Sequence, residues 1–394
     1  LSARTIHPFP ARMAPDIAID HLKGDTASGS LAVLDPMCGS GTVLAAATAN
    51  GHSAQGFDVD PLAVLMSKVA TQHVDTLVML EEAERAVSLA ERSRTKSLPW
   101  SDGETVKFAE YWFGQSQRTQ LHRLSRVINT VADVSVRQAL QIALSRTIVT
   151  KSPRASLAAD TSHSRPHRVM LESSYDVFTG FTKSVKELKR LLDQREVRGT
   201  ALVGQGDARS LRLENESVDL VITSPPYLNA IDYLRGHKLS LIWLGYSIPE
   251  LRKIRSNSIG AERALGEPST ERVEAMVDAI KQSVPNPGLL PIATITRYAR
   301  DLCLFGNELR RVSKPGARVI TVIGNSTLRG NYIQNDSLVC LAYKDSGFRV
   351  IDQAERALPE NRRYLPVSSA NPTSSMAKRM RKEVVLTVEC PKVR

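Results

Sequence analysis

The sequence predicts an α/β protein: a seven-stranded mixed sheet of Rossmann-like type, flanked by helices and interrupted by a long, mainly helical insertion. Three observations carry this reading. Short apolar runs ending in turn residues alternate with helical patterns, a glycine-rich turn separates the first such run from the first helix, and strand signals fade near residue 74 and return near 200.

Residues 31–34 read as a buried strand, 39–42 as a turn, 43–50 as a helix stopped by Gly51, and 54–57 as the next strand, with a helix starting after Asp60. From about 74 to 198 the text is helical, polar and basic. Stretches 77–93 and 117–148 carry apolar residues at i, i+3, i+4 spacing. Residues 151–168, rich in Ser, Pro, His and Arg and without periodicity, are expected to form a mobile loop. Strands return at 201–203, 218–223, 318–323, 348–352 and 383–388, the last two close enough to pair antiparallel. The division that follows is a discontinuous catalytic domain, 1–73 and 199–394, around an insertion at 74–198.

Apolar residues at 42% and charged residues at 24% are ordinary for a soluble globular protein, and no apolar run approaches the ~20 residues that span a bilayer. Lys and Arg number 52 against 41 Asp and Glu, a net charge of +11, which favours a polyanionic partner. Residues 356–382 concentrate that excess, with seven basic residues against Glu360 alone. Cys38, Cys303, Cys340 and Cys390 lie far apart without a CxxC pair, so neither a zinc site nor a disulfide framework is expected, and a reducing cytoplasm fits. The chain opens on Leu1, so a segment upstream is expected.

Asp35-Pro36-Met37-Cys38-Gly39-Ser40-Gly41-Thr42 follows a strand and opens a helix, so its glycines let the backbone turn tightly against a ligand. A mononucleotide loop or a plain structural turn has a similar text. Asp58, at the end of the second strand, is placed to accept both hydroxyl protons of a ribose. Asp60-Pro61 beyond it reads as an N-cap and first helical residue, a structural role. Gly206-Asp207-Ala208 follows the third strand, where an Asp can accept from the amino group of an adenine ring. Carboxylates at three successive strand ends beside a glycine-rich turn imply an adenosine-bearing ligand.

The fourth strand runs straight into Ser224-Pro225-Pro226-Tyr227. The two prolines fix φ and remove two backbone donors, leaving the turn's carbonyls free to accept. The exocyclic nitrogen of cytosine or adenine is a poor nucleophile because its lone pair is delocalised into the ring. Hydrogen bonds from its protons to the Ser224 hydroxyl and the Pro225 carbonyl favour the pyramidal form that attacks. Tyr227 offers a face on which a flipped base can stack; a Pro-Pro loop with a packing tyrosine is the plainer alternative.

Together, these two motifs resemble the amino-methyltransferase family of site-specific DNA methyltransferases, of the Ser-Pro-Pro-Tyr type. The likeness continues in Leu228-Asn229-Ala230-Ile231-Asp232-Tyr233 and in His7-Pro8-Phe9-Pro10-Ala11-Arg12, similar to the family segment near the methionine part of the cofactor. It implies a methyltransferase-type fold and S-adenosylmethionine as cofactor. The contacts it implies are His7, Pro8, Phe9, Asp35, Pro36, Cys38 and Gly39 to Thr42 near the methionine end, Asp58 at the ribose, and Asp207 with Ala208 at the adenine. Ser224, Pro225, Pro226 and Tyr227 would hold the base for direct transfer without a covalent intermediate, so no cysteine serves as nucleophile. The implied partner is double-stranded DNA, with restriction or defence proteins as possible associates and no membrane.

Met37 departs from the family's usual Phe, and the motif order with a long insert before the third strand differs from that of many members. Ser224 tilts the target toward cytosine N4, the adenine enzymes more often having Asp or Asn there. Adenine N6, an RNA substrate and a catalytically silent nucleic-acid-binding subunit are the rivals. The 74–198 insertion is the first candidate for reading DNA, with 251–298 as rival. Arg362, Arg363, Lys378, Arg379, Arg381 and Lys382 are candidate phosphate clamps, strand-edge protection being the competing role for the last cluster. His237 and Lys238 are expected to pack or face solvent.

Overall fold

The computed structural model of the chain describes residues 5–9, 13–23, 29–95, 97–163, 165–228, 232–260, 270–357 and 382–392. Helix α1 (Pro15–Lys23) precedes β1 (Ala32–Asp35), α2 (Thr42–Ala49), β2 (Ser53–Asp58) and α3 (Pro61–Thr71). The long insert then supplies α4 (Thr76–Arg92), α5 (Gly103–Trp112), α6 (Gln115–Ile128), α7 (Val134–Arg146), a small antiparallel pair β3 (Ala158–Ala159) and β4 (His167–Arg168), and α8 (Val177–Asp193). After it come β5 (Thr200–Gln205), β6 (Val218–Thr223), α9 (Leu234–Leu241), α10 (Ile248–Ser256), α11 (Glu271–Ser283) and α12 (Ile292–Val312). The chain closes with β7 (Ser313–Gly324), the hairpin β8 (Ser326–Leu328) and β9 (Asn331–Ile333), α13 (Asn335–Asp345), β10 (Arg349–Ala357) and β11 (Lys382–Glu389).

Seven strands form one sheet in the order β10-β11-β7-β6-β1-β2-β5. Strands β5, β2, β1, β6 and β7 run parallel, while β11 is antiparallel to both β7 and β10. The predicted mixed sheet and its antiparallel final pair are therefore present. Connections run outward from β1 through β2 to β5 and then return to β6 on the other side of β1. The carboxyl ends of β1 and β6 thus flank a topological switch point, where open α/β sheets bind ligands.

Alternation along the central strands explains why helices cover both faces. Val33, Leu220, Ile222 and Ile320 pack with Ala18 and Leu22 of α1 and Val43, Leu44 and Ala47 of α2. Their neighbours Leu34, Val221, Val319 and Ile323 pack on the opposite face with Met276 of α11, Leu302 and Phe305 of α12 and Val339 of α13. The insertion does not stand apart from this body. Leu62 and Met66 of α3 share a core with Met79, Leu121, Leu140, Phe181 and Leu188 of the inserted helices and with Leu239 of α9.

Two sequence expectations need correction. The single helical stretch at 117–148 is divided into α6 and α7, because Asp133 caps a new start by accepting from the Val136 N–H at 2.9 Å. Residues 151–168, expected to be mobile, are in good part packed: Ala155, Ser156, Leu157 and Ala158 are buried, and the Thr161 hydroxyl accepts from the Thr150 N–H at 3.2 Å. Small Ala, Ser and Thr side chains fill this part of the core, so no apolar periodicity marks its burial. Among the described residues no helix is long and apolar enough to cross a membrane.

Phe181 is fully buried in the core that the insertion shares with α3. Phe181→Ala is expected to lower unfolding free energy by about 3–5 kcal/mol in urea denaturation.

Candidate active site

The glycine-rich turn is built by close approach. Gly41 has φ +78° and opens α2 with no side-chain cap, and a Cβ there would meet the Ser67 Cα at 2.9 Å. The Ser67 hydroxyl in turn donates to the Gly39 carbonyl at 3.0 Å, so α3 is drawn against the loop. At Gly39, with φ +50°, a Cβ would lie 3.1 Å from the Phe9 ring. Phe9 stacks on Tyr233 with centroids 5.0 Å apart, which brings the amino-terminal segment, the turn and the entry to α9 together.

Two carboxylates lie beneath this turn. Asp35, at the end of β1, accepts from the Met37 N–H at 3.2 Å and from the Thr223 hydroxyl at 2.9 Å, both on Oδ1. Burial pushes its carboxyl up to about 7, against the opposing effect of those hydrogen bonds. Asp58, at the end of β2, accepts from the Gly39 N–H and the Asp60 N–H, each at 2.9 Å. It is raised to about 6, first by burial and then by the charge of Asp60. Cys38 is buried in the same loop, and its thiol is pushed well up by burial, which makes it inert as a nucleophile.

Asp60 caps α3 as the sequence predicted, accepting from the Leu62 N–H at 2.9 Å. Its other oxygen accepts from Nδ1 of His237 at 2.5 Å. His237 is fully buried on α9, with no partner for Nε2 among the described residues. Lys238, half-buried, lies 5.2 Å above the Phe108 ring of α5. His7 is also fully buried: its Nδ1–H donates to the Pro8 carbonyl at 2.8 Å, so Nε2 accepts from the Ser145 hydroxyl of α7 at 2.8 Å. Burial, with His237 nearby, lowers its pKa to about 3. Both ring nitrogens of His7 are thus engaged by the protein, pinning the amino-terminal segment to the insertion.

The third acidic turn is more constrained than its sequence suggests. Asp207 grips Arg209 through both oxygens, at 2.9 Å to Nε and 2.6 Å to Nη2, and Oδ1 also accepts the Arg209 backbone N–H. Arg209 Nη1 continues to the buried Asp301 of α12 at 2.5 Å, and Nη2 donates to the Asn257 carbonyl at 2.6 Å. Ala208 is buried behind the turn.

Past β6, Ser224 donates its hydroxyl hydrogen to the Val322 carbonyl of β7 at 2.9 Å, which leaves the oxygen's lone pairs as acceptors. Pro225 is buried, while Pro226 and Tyr227 are half-buried. Burial pushes the Tyr227 phenol up to about 12. The turn is anchored beyond Tyr227, where the Leu228 N–H donates to Oδ1 of the fully buried Asn335 at 3.3 Å. Asn335 Nδ2 donates to the Gly324 carbonyl and to the Ser326 hydroxyl, both at 3.0 Å. No cluster of three His, Cys, Asp or Glu suited to a metal ion occurs among the described residues.

Of the predicted residues, Phe9, Asp35, Gly39, Gly41 and Asp58 therefore meet in one place, and the Thr223–Asp35 bond joins them to Ser224 through Tyr227. Pro10, Ala11, Arg12, Asn229, Ala230 and Ile231 lie outside the described residues, as do Arg362, Arg363, Lys378, Arg379 and Arg381. Lys382 opens β11 and pairs with Glu355 of β10 at 2.6 Å, a cross-strand ion pair. Sequence reasoning missed Thr223, Ser67, Arg209 and Asn335 as supports. Thr223 and Arg209 adjoin recognised motifs, but nothing near Asn335 ties it to a turn more than 100 residues away.

No protein-family profile matches the chain. It is 22% identical over 416 aligned positions to the Type II methyltransferase M.MvaI of Kocuria varians, covering 97% of this chain and 90% of that protein. It is 24% identical to the Type II methyltransferase M.BsoBI of Geobacillus stearothermophilus, covering 84% of this chain and 74% of that protein. The crystal structure of a SAM-dependent methyltransferase from Methanosarcina mazei aligns with 9% identity and a TM-score of 0.35, over 97% of this chain and 99% of that one. Both of these relatives are Type II methyltransferases, matched over 97% and 84% of this chain.

Two outcomes follow from this geometry. Gly41→Ala, at positive φ and against the α3 backbone, should cost about 1–3 kcal/mol of stability by urea denaturation. Asp35 holds its proton up to about pH 7 in the fold but releases it near 3.8 when unfolded. Its contribution to stability is therefore complete below about pH 4 and lost as pH rises through 7. In urea titrations of the ligand-free protein from pH 4 to 7, stability should fall less steeply in Asp35→Asn than in the natural chain.

Proposed function

We propose that the chain is an S-adenosylmethionine-dependent DNA methyltransferase that modifies an exocyclic amino group, with N4 of cytosine as target. The observation that carries this reading is the orientation of Ser224. Its hydrogen is given to Val322, so the hydroxyl meets a substrate as an acceptor, on a turn bonded through Thr223 to the loop suited to the cofactor. The names of the two relatives, both Type II methyltransferases, support the same activity.

The residues at the loop fit the cofactor. Asp35 is buried and Asp58 half-buried, and their raised pKa values record the lack of an adequate counter-charge. An approaching cation favours their ionised forms. The uncapped start of α2 offers a positive end for a carboxylate, and Phe9 against Gly39 supplies an apolar wall. Bound there, S-adenosylmethionine supplies a methyl group on a positively charged sulfonium. Asp58, after giving one acceptor site to each backbone N–H, retains lone pairs for ribose hydroxyls. Asp207, committed to Arg209, shapes the turn against which the adenine would rest together with Ala208.

Ser224 and the Pro225 carbonyl accept the two protons of the target amino group, and Tyr227 stacks on the flipped base. The work of the turn is to orient and polarise the nitrogen; no covalent step on the enzyme is needed. Serine rather than Asp or Asn at position 224 favours cytosine. The 74–198 insertion is assigned to DNA reading, and Arg362, Arg363, Lys378, Arg379 and Arg381 to phosphate contact. Lys382 is tied to Glu355 and is left out of that clamp.

Transfer of labelled methyl from S-adenosylmethionine to mixed genomic DNA, followed by nucleoside mass spectrometry, tests this. N4-methylcytosine is expected, with kcat reduced about a hundredfold or more in Ser224→Ala and a raised KM for DNA in Tyr227→Ala. N6-methyladenine would keep the mechanism and overturn the base; modification of RNA alone would overturn the DNA assignment. A pH dependence follows as well. Since a cationic ligand favours ionised Asp35, affinity for S-adenosylmethionine measured by calorimetry should rise severalfold from pH 5 to 7 and be weaker and flatter in Asp35→Asn.

A further inference from the structure

An apolar tip stands out of the insertion. Leu171 is 81% exposed, Val169 and Tyr111 50%, and Met170 38%, so three consecutive apolar side chains stand in water. The tip is shaped. Arg168 places its guanidinium 5.0 Å above the Tyr111 ring and donates from Nε to the Met170 carbonyl at 3.1 Å. The Val169 N–H donates to the buried Leu157 carbonyl at 3.0 Å. Cations outnumber acids along the segment that carries it: residues 151–172 hold Lys151, Arg154, Arg165 and Arg168 against Asp160 and Glu172.

The tip is also connected to the active site through packed side chains. Tyr233, stacked on Phe9 beside Gly39, leads directly into α9. One turn along α9, Lys238 lies over Phe108 of α5, and Tyr111 is the next residue on that face of α5. The other end of α5 carries α10: the Ile248 N–H donates to the Thr105 hydroxyl at 2.9 Å, and Arg252 pairs with Glu104. Arg235, Arg252, Lys253 and Arg255 are exposed on α9 and α10.

We infer that residues 165–171, with Tyr111, form a groove-probing contact to duplex DNA: Arg165 and Arg168 meet phosphates, and Val169, Met170 and Leu171 enter the groove beside the target base. The argument is charge complementarity combined with shape. A polyanion is held by cations at its backbone, while apolar side chains wedge against base edges and steps. A protein partner would match the apolar residues but leave the surrounding cations unanswered. This inference rests on the DNA methyltransferase reading.

The test compares Leu171→Ser, Arg165→Ala and, as a charge control at the exposed last turn of α13, Lys344→Ala. The measurements are KM for genomic DNA, affinity for a fluorescent duplex of random sequence across a salt series, and affinity for S-adenosylmethionine. Leu171→Ser is expected to raise KM for DNA about tenfold. Arg165→Ala should weaken duplex binding and reduce the salt slope by about one. Cofactor affinity and Tm should stay unchanged in both, and Lys344→Ala should match the natural chain throughout. Unchanged DNA affinity and KM in both tip variants, while the natural chain methylates DNA, would overturn this contact and leave the function standing. A natural chain that methylates no DNA would overturn the function itself, and the contact with it. A change in sedimentation without a change in DNA binding would assign the tip to a second copy of the chain and overturn it too.

Discussion

The hydrogen bond from Thr223 to Asp35 is the interaction on which the candidate site depends. It joins the carboxyl ends of β1 and β6, the two strands between which the chain reverses direction across the sheet. Each strand delivers one motif, the glycine-rich turn from β1 and the Ser-Pro-Pro-Tyr turn from β6, and the bond fixes their separation. Both partners are buried, so it is made in a medium where a lost hydrogen bond is costly. Parallel pairing sets the strands side by side; this bond sets their ends.

Around that link, the site is held by elements distant in sequence. Ser67 of α3 secures the glycine turn, His237 of α9 reaches Asp60, Asn335 at the start of α13 holds the backbone after Tyr227, and Arg209 ties the third acidic turn to Asp301 of α12. Each uses a short polar side chain, an imidazole or a fixed guanidinium to satisfy a backbone group or a carboxylate. The turns of the candidate site are thereby placed with little freedom, as positioning catalysis would require.

Much of this was legible in the sequence, and what was legible had a local cause. The central strands β1, β6 and β7 announced themselves because buried parallel strands read as uninterrupted apolar runs, and the two motifs because glycines and prolines have narrow backbone uses. Asp60 was read correctly as a cap, from its position before Pro61. The broken helix at 129–133 was missed because apolar spacing continues across the break, and the packed segment at 151–168 because Ala, Ser and Thr bury without periodic pattern. His237 was expected to pack or face solvent; it packs, but its pairing with Asp60 spans 177 residues, and spacing along the chain does not encode such a contact. The saturation of Asp207 by Arg209 was likewise hidden, since adjacency in sequence says nothing of which way a guanidinium turns.

The bond from Ser224 to Val322 has a consequence for selectivity. A free hydroxyl rotates to donate or accept as its visitor demands, and so tells little between an amino group and a carbonyl. With its hydrogen fixed on the neighbouring strand, the Ser224 oxygen presents lone pairs alone, and the Pro225 carbonyl can present nothing else. A group bearing hydrogens finds two acceptors, whereas a keto oxygen brought to the same spot meets lone pair against lone pair. On the proposed cytosine reading, uracil and thymine would be turned away by repulsion at two atoms and without any contact to the rest of the ring.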